Sequence, residues 1–335
     1  MLSWEKVDMY NAGLDATLFK SFNLQVDVFN RLTKDILLSN PNIPSEAGLA
    51  SGEAPSINLG QVRNSGFELS LSYNGKVNDF TYSIGGNVSK IWNKVIELGG
   101  TNETPPSGYY INRVGQAIGS FYMYQSDGLF SSNAEVASHA FQSTATKAGD
   151  IKYVDQNGDK KIDGNDRVIT GNDVPYFIYG INFTANYKNF DLSVLGQGVN
   201  DVKVYLENEA SQAFFNSAGA KSYVLDRWTA DNPNPNAAYP RVLSSADNSQ
   251  NLVQCDFWLF NADYFRVKTI ALGFSLPKKV LDKLKIGALR VYASSNNPFT
   301  IRGDKRLKDF DPETPSARAS YPTLKTYSFG INLTL

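Results

Sequence analysis

The sequence has very little of the chemistry on which most enzymes depend. Its 335 residues include a single histidine, His139, and a single cysteine, Cys255. A Ser/His/Asp or Cys/His catalytic arrangement would have to use His139, which lies among small loop residues, so we expect a solvated surface histidine there. Zinc sites built from His and Cys lack ligands for the same reason. We therefore predict that the protein is not an enzyme.

Other absences limit the possible partners and the way in which a membrane could be crossed. The sequence contains no run of about 18 apolar residues, which excludes a transmembrane helix but leaves a transmembrane barrel open. The net charge of −1 provides no broad basic face, so nucleic acid is not an expected partner. Phosphate-loop and Rossmann glycine patterns are also missing. Cys255 has no second cysteine to pair with, and we expect a small, half-buried side chain in a loop.

What the sequence does have is strict alternation of apolar and polar residues, which is the period-2 pattern of a strand with two different faces. In the last segment one face carries Tyr327, Phe329, Ile331, Leu333 and Leu335, and the other carries Ser328, Gly330, Asn332 and Thr334. Residues 67–74, 80–89 and 177–187 alternate in the same way, and residues 10–18 do so more weakly. Since a soluble sandwich also alternates, the pattern alone does not place these strands in a membrane.

Turn lengths and aromatic positions favour a membrane barrel. Tyr73 and Phe80 flank one turn, and Tyr187 and Phe190 flank another, where an interfacial aromatic girdle would lie. The connections at 20–21, 74–79 and 188–189 are tight, whereas 34–57, 97–174, 202–258 and 301–325 are long. Outer-membrane barrels place short turns on the periplasmic side and long loops outside. We therefore predict an all-β, antiparallel transmembrane β-barrel portion with long extracellular loops.

Counting the crossings indicates that part of the barrel precedes this chain. Nine strands are predicted, near 8–19, 22–33, 58–73, 80–96, 175–187, 190–201, 259–276, 289–300 and 326–335. Residues 277–288, with Pro277 and a helical stretch from Lys279 to Leu284, then lie on the periplasmic side, and the aromatic stretch from Tyr109 to Tyr124 belongs to the loop 97–174. Single-chain bacterial barrels usually have an even number of strands. Because Met1 is also not followed by an export signal, we expect an upstream portion.

One loop has the spacing of a calcium site. Oxygen ligands at positions 1, 3, 5, 9 and 12 are provided by Asp155, Asn157, Asp159, Asp163 and Asp166, with the carbonyl of Lys161 at position 7. The loop departs from the standard pattern at position 6, where Lys160 replaces a glycine, and at position 12, where Asp replaces Glu. We predict a structural Ca²⁺ that fixes the long external loop, with a charged surface loop as the alternative.

Two other groups of residues were candidate sites. Asp309, Asp311 and Glu313 are spaced by two, so a carboxylate pair for glycoside hydrolysis is conceivable. A polar loop before Pro315 is the preferred interpretation. Tyr109, Tyr110 and Phe121 could stack on sugar rings, although loop packing is the more common use of such residues.

The chain resembles the C-terminal region of SusC/RagA-type TonB-dependent outer-membrane transporters of Bacteroidetes. The resemblance is carried by short stretches in a fixed order: residues 4–6, 11–15, 64–69, 114–122, 149–153, 227–229, 239–241, 264–268, 272–277, 289–292, 297–300, 309–313 and 321–322. One departure is the final residue, Leu335, where an aromatic residue is usual.

This resemblance implies import of oligosaccharides or peptides through a 22-stranded barrel, of which this chain would form the last nine strands. It also implies a SusD-like surface lipoprotein over the external loops, and an N-terminal plug and TonB-contacting region that are absent from residues 1–335. Three alternatives remain: a siderophore or cofactor receptor, a secreted calcium-binding β-protein for adhesion or carbohydrate binding, and a glycoside hydrolase.

Overall fold

The computed structural model describes residues 2–39, 48, 55–104, 106–244, 249–313 and 323–335. Within them the strands are β1 (Lys6–Leu18), β2 (Phe22–Ser39), β3 (Ser56–Val77), β4 (Phe80–Leu98), β5 (Tyr110–Ile111), β6 (Ser120–Tyr124), β7 (Ser126–Leu129), β8 (Ile151–Tyr153), β9 (Arg167–Gly171), β10 (Phe177–Tyr187), β11 (Phe190–Asn200), β12 (Lys203–Tyr205), β13 (Leu259–Asn261), β14 (Tyr264–Ser275), β15 (Ala288–Asn296), β16 (Thr300–Arg302) and β17 (Thr326–Thr334). The helices are α1 (Asn133–Ser138) and α2 (Lys278–Leu284), and short 3-10 turns cover Gly164–Asp166, Asn208–Ala210, Phe215–Ser217, Ser222–Asp226, Ser249–Asn251, Asp256–Trp258 and Lys305–Asp309. No helix in these described ranges is long and apolar enough to cross a membrane.

The main sheet has the order β1-β2-β3-β4-β10-β11-β14-β15-β17, and β16 pairs with β14 beside this path. Every neighbouring pair is antiparallel. The two edges of the sheet are β1 and β17, so these strands form an open section of a barrel wall. The predicted antiparallel class and the nine predicted crossings are confirmed.

The register brings the apolar residues of all nine strands to one face of the sheet. Leu14 lies opposite Val26, Val26 opposite Leu69, and Leu69 opposite Val88, which forms one apolar row across four strands. Directly opposed residues in neighbouring strands point to the same face. The apolar face therefore continues from strand to strand, as a lipid-facing band requires.

Aromatic rings border this band at both ends. At the end with tight turns, the ring of Tyr73 lies 5.1 Å from Phe22 and 5.9 Å from Tyr82, between ring centroids. At the other end, Phe67 contacts Trp92 with centroids 6.2 Å apart. Rings of this kind occupy the two membrane–water interfaces of outer-membrane barrels. The predicted girdle is present on these strands.

The tight turns lie where they were predicted, but one is shorter. The segment 74–79 was predicted as a turn, whereas β3 continues to Val77 and pairs there with Phe80, so only Asn78 and Asp79 form the turn. Asn78 has a φ of 55°, and Lys188 in the turn 188–189 has a φ of 53°. Asn tolerates this left-handed conformation readily, which allows the strand to extend further than the polar residues at 74–76 suggested.

Several strand boundaries also differ from the prediction. β2, β3 and β4 contain 18, 22 and 19 residues, whereas about 9–11 residues cross a bilayer, so their extracellular ends extend beyond it. The predicted long connection 34–57 is therefore shorter, and its residues 40–47 and 49–54 lie outside the described residues. The predicted strand 259–276 divides into β13 and β14, because Asp263 leaves the sheet and accepts a hydrogen bond from the Gly303 backbone N–H at 2.7 Å. The predicted strand 289–300 ends at Asn296, where Asn297 takes a positive φ of 51°.

The two longest loops share one hydrophobic core above the sheet. Its buried members are Phe121, Met123, Tyr124, Leu129, Ile151, Tyr153, Tyr205, Tyr223, Val224, Ala237, Tyr239, Cys255 and Trp258. Tyr109 to Tyr124 belongs to this loop assembly, as predicted, since β5 and β6 pair with β9 and not with the main sheet. The half-buried position predicted for Cys255 is wrong: its side chain is fully buried in this core, and burial raises the pKa of the thiol to about 12.

A buried carboxylate connects three segments of the loop assembly. Asp150 is 0% exposed, and its two oxygens accept hydrogen bonds from the Arg241 guanidinium at 2.6 and 2.9 Å. The Asn251 amide donates to Asp150 at 2.8 Å, and the backbone N–H of Lys147 donates at 2.8 Å. Next to it, a Cβ at Gly149 would collide with the ring of Trp228. Residues from 147–151, 228–241 and 251 are thus fixed around one charge.

The assignment of the two faces can be tested with adjacent residues of β3. Leu69→Arg in the full-length protein places a charge near the middle of the apolar band, which costs about 2–4 kcal/mol in a bilayer. Ser70→Arg places the same charge on the opposite face. We expect the Leu69 variant alone to lower the amount of folded barrel in outer membranes, measured by heat-modifiable mobility on a gel. Equal losses for both variants would contradict the assignment.

The loop assembly should depend on Asp150. Asp150→Asn leaves Arg241 partly buried without its counter-charge, and breaking such a buried pair costs about 3–5 kcal/mol. We expect the external loops to be cut much faster by protease in intact cells. Asp127→Asn is the matched control, because the Asp127 side chain is 70% exposed and only pairs with Lys152 at the surface. Unchanged cleavage in the Asp150 variant would show that the network does not order the loops.

Candidate functional site

The face of the sheet opposite the apolar band is polar and hydrogen-bonded between strands. Asn64 accepts from the amide of Asn93 at 2.8 Å, and Asn23 donates to Ser72 at 3.3 Å. Asn182 lies across Gly85, where a Cβ would collide with its amide. Amides and hydroxyls that lie in rows with small residues between them can exchange hydrogen bonds with a polar solute or with water. This face is the candidate pore wall.

Near the tight-turn end, an ion pair crosses the pore wall. Arg290 of β15 donates to both carboxylate oxygens of Asp191 in β11, at 2.9 and 2.6 Å. The two side chains meet over Gly273 of the intervening strand, where a Cβ would collide with both. The two-pronged geometry fixes the orientation of both groups. The pair therefore holds three strands in register from the polar side.

The loop aromatics predicted as possible sugar platforms lie together but differ in exposure. Tyr110 stacks on Phe121 with centroids 5.3 Å apart, and Tyr109 lies 4.5 Å from the ring of Tyr205. Phe121 is 1% exposed, so loop packing is its role. Tyr109 and Tyr110 are half-buried. Burial and a hydrogen bond to Asp173 raise the pKa of Tyr110 to about 12, so its hydroxyl stays protonated at neutral pH.

Tyr109 also lines a small polar cavity that the sequence did not reveal. The cavity has a volume of about 150 Å³ and is lined by Tyr109, Tyr205, Leu206, Glu207, Asn208, Ser211, Gln212, Leu252, Gln254 and Trp258. Burial and a hydrogen bond to Glu207 raise the pKa of Tyr109. The walls combine aromatic surface with a carboxylate and amides, which are the groups that bind sugars and peptide amides. Its residues come from two distant loop segments, so no local motif could have identified it.

The Asp-rich loop is curled, but its oxygens contact the loop's own backbone. Asp155 accepts from the backbone N–H groups of Gly158 and Lys160 at 2.7 and 2.9 Å. Lys160, at the position where glycine is usual, has a φ of 66° and so adopts the turn that position 6 needs. A backbone hydrogen bond from Asn165 and the ammonium of Lys161 hold the pKa of Asp163 below its usual range. Asp166 is 0% exposed and accepts from the backbone N–H groups of Gln156 and Asp163.

The structure therefore provides the predicted loop without bringing its ligands to one point. In the ranges that the structure describes, no group of three or more His, Cys, Asp or Glu side chains is arranged to hold a metal ion. Asn157 forms hydrogen bonds with Asp159, through its amide to the Asp159 carboxylate at 3.1 Å. The carbonyl of Lys161 belongs to the same turn. Calcium binding at Asp155, Asn157, Asp159, Lys161, Asp163 and Asp166 stays a prediction.

His139 lies at the C-terminal end of α1. Its ring packs edge-on against Phe130 with centroids 5.2 Å apart, and Nδ1 lies 3.0 Å from the carbonyl oxygen of Ala140. Its backbone N–H donates to the carbonyls of Glu135 and Val136. These contacts describe a half-buried helix-capping residue, and the fully solvated position predicted for His139 is corrected accordingly.

The carboxylates at 309–313 are paired with cations. Asp311 accepts from Arg266 at 2.6 Å, and Glu313 accepts from Lys268 at 2.6 Å. Burial alone would raise the pKa of Asp311, but hydrogen bonds from Arg266 and Thr323 hold it well below its usual range. A glycosidase acid must carry a proton near neutral pH, and Asp311 does not. Asp309 is exposed. The group joins the loop to β14, which is more than the polar loop predicted from its sequence.

Comparisons with known proteins agree with this architecture. The family described as "TonB dependent receptor-like, beta-barrel" matches residues 1–208. TonB-dependent receptor P3 of Formosa agariphila is 26% identical over 99% of this chain and 34% of its own length, and TonB-dependent receptor SusC of Bacteroides thetaiotaomicron is 27% identical over 99% and 32%. The solved structure of the RagAB peptide importer in the "open-open" state shares the fold, with a TM-score of 0.79, 24% identity, and coverage of 100% of this chain and 35% of that chain.

This chain thus spans about a third of the length of the curated relatives that it matches. Its sheet has a continuous apolar band, a polar opposite face and long loops at one end only, and the matching family covers well over half of its residues. The chain belongs to the TonB-dependent receptor β-barrel family of the bacterial outer membrane, and it resembles SusC and RagA over its whole length.

Proposed function

We propose that the protein to which this chain contributes imports a nutrient across the outer membrane, with this chain forming pore wall and external loops. The observation that carries the proposal is the combination of a hydrogen-bonding polar face on the sheet with a cored loop assembly above it. The polar face offers amides and hydroxyls along the path of a solute. The TonB complex would supply energy through the N-terminal region that the relatives contain and residues 1–335 do not.

The expected substrate is an oligosaccharide or a peptide, taken up together with a SusD-like surface lipoprotein. Both substrates are polar and rich in hydrogen-bonding groups, which suits the amides of the pore wall and the cavity beside Tyr109 and Glu207. In the cavity, ring faces could pack against a sugar ring while Glu207 and Gln254 bond its hydroxyls. The names SusC and "RagAB peptide importer" among the similar proteins support this substrate range.

A siderophore or cofactor receptor is the main alternative, since it uses the same barrel without a lipoprotein lid. Co-purification of a surface lipoprotein with the full-length receptor, in mild detergent, distinguishes the two. A secreted calcium-binding β-protein is disfavoured by the continuous lipid-facing band. A glycoside hydrolase is disfavoured by the pairing of Asp311 with Arg266.

We also propose that the Asp-rich loop binds one Ca²⁺ with a structural role. The support is its spacing together with the positive φ of Lys160, which already gives the loop the turn that a bound ion needs. Binding requires Asp155 and Asp159 to release backbone N–H groups, so the ion competes with existing hydrogen bonds. The ion would then connect the 155–166 turn to Phe141, whose backbone N–H donates to the Lys160 carbonyl at 2.9 Å.

The import proposal predicts a substrate-affinity defect at Glu207. In cells that carry the full-length receptor, Glu207→Gln should raise the half-saturating concentration for uptake of the transported oligosaccharide or peptide about tenfold, as expected for loss of a hydrogen bond to a charged group. Glu103→Gln is the matched control, because Glu103 is an exposed carboxylate of the same loop paired only with Arg113. If a deletion strain takes up every tested glycan and peptide normally, the import proposal itself fails; a normal Glu207 variant removes only the cavity.

The calcium proposal predicts a chelator-sensitive loop. Removal of Ca²⁺ with EGTA should increase protease cleavage within 141–166 in the full-length receptor, and Asp155→Ala should produce the same cleavage without chelator. Asp173→Ala in the same loop is the control. Terbium luminescence excited through nearby tyrosines measures binding directly. Identical cleavage with and without EGTA, together with no terbium signal, would leave the loop as a self-satisfied turn.

A further inference from the structure

One connection at the tight-turn end is unlike the others. Residues 276–287 join β14 to β15 and contain the helix α2, whereas the neighbouring connections are turns of two or three residues. Hydrogen bonds fix its position: the Ser275 N–H donates to the carbonyl of Asn189 in the next turn at 2.9 Å, and the Gly287 N–H donates to Thr334 at 2.8 Å. The helix therefore lies at the periplasmic rim.

The helix has two chemically different sides. One side carries the apolar residues Val280, Leu281 and Leu284; the other carries Lys278, Lys279, Asp282 and Lys283. Residues 100° apart along a helix place these two sets opposite each other. No residue of α2 is buried, and Val280 and Leu284 are 40% and 56% exposed. The described part of the chain thus leaves the apolar side of α2 uncovered.

The helix is nevertheless an ordered element. Lys285 takes a left-handed φ of 56° after its last turn, and the Ile286 N–H donates to the Leu281 carbonyl at 3.2 Å, which is a Schellman closure. Seven residues would not stay helical alone in water. The closure and the strand anchors therefore hold a short amphipathic helix in one place.

Charge on this rim has one predominant sign. Lys20 and Lys188 lie at the tips of two tight turns, and α2 with its cap adds four lysines, against the two acidic residues Asp79 and Asp282. Long lysine side chains near an apolar surface extend their ammonium groups to the headgroup level. Anionic phospholipid is the complementary surface.

The apolar side of α2 continues a surface that already faces lipid. At the same end of the sheet, Leu333 and Leu335 of the apolar face are 54% and 93% exposed, and Leu289 lies directly opposite Leu333. From this continuity and the lysine rim, we infer that α2 lies in the periplasmic leaflet of the outer membrane, with Val280, Leu281 and Leu284 among acyl chains and its lysines on anionic phospholipid headgroups. This interaction is independent of the substrate that the pore carries.

The depth of α2 can be measured with single spin labels in the full-length receptor. Cys255 is fully buried and should not react, so Leu284→Cys and Lys283→Cys can be labelled separately once any other reactive cysteine is replaced. In phosphatidylglycerol vesicles, we expect the label at 284 to be more accessible to oxygen than to a water-soluble nickel chelate, and the label at 283 to show the reverse. Asp79→Cys, in a tight turn at the same rim, is the water-exposed control.

Two results would overturn the inference. A label at 284 with the same nickel accessibility as the label at 79 would place α2 in water. A label at 284 shielded from both reagents, in detergent as well as in vesicles, would mean that a protein surface covers the helix.

The lipid charge is tested with Lys279→Gln/Lys283→Gln. Each lysine near a membrane surface contributes roughly fivefold to anionic-lipid binding, so the double variant should retain far less phosphatidylglycerol relative to phosphatidylcholine, measured by mass spectrometry of the purified receptor. The matched control Lys305→Gln/Lys308→Gln lies in the loop at the other end of the barrel. Unchanged lipid retention in the rim variant, with a folded barrel, would contradict the headgroup contact.

Discussion

The fold depends on one constraint: inside a bilayer, every backbone N–H and C=O must be paired within the sheet while each strand faces lipid on one side and water on the other. The register meets both demands at once, because a row such as Leu14, Val26, Leu69 and Val88 stays on one face across four strands. A slip of one residue in any pair would turn a whole apolar set toward the pore. The Arg290–Asp191 pair on the polar face opposes such a slip across β11, β14 and β15.

The extracellular part obeys a different rule, since water can satisfy its backbone and order must come from specific contacts. Its contacts join stretches that are distant in sequence. Asp150 meets Arg241, and Asp311 meets Arg266, each as a buried or nearly buried ion pair. These four residues all fall in the short stretches that carry the resemblance to SusC and RagA. Those stretches are therefore partners of one another, which explains why isolated fragments of the sequence share a fixed order.

The strands were predictable because period-2 alternation is a local property, and all nine crossings were found. Their ends were less predictable: β3 runs to Val77 through polar residues, and its turn depends on the left-handed conformation of Asn78. The loops were predictable only as loops. That Cys255 is buried, that Asp311 is neutralised by a cation and that Tyr109 faces Glu207 all depend on contacts between residues far apart in the chain. No local pattern contains such information, which is why the candidate cavity could not be foreseen.

The helix α2 shows how local pattern and position combine. Its helical stretch was predictable from sequence, but its meaning depends on where β14 and β15 end. The same seven residues in an external loop would have water or a partner protein around Leu284. At the tight-turn end they lie beside the apolar face of the sheet, so burial among acyl chains removes Val280 and Leu284 from water without any protein partner. The lysines then remain at the headgroup level, where their charge is favourable.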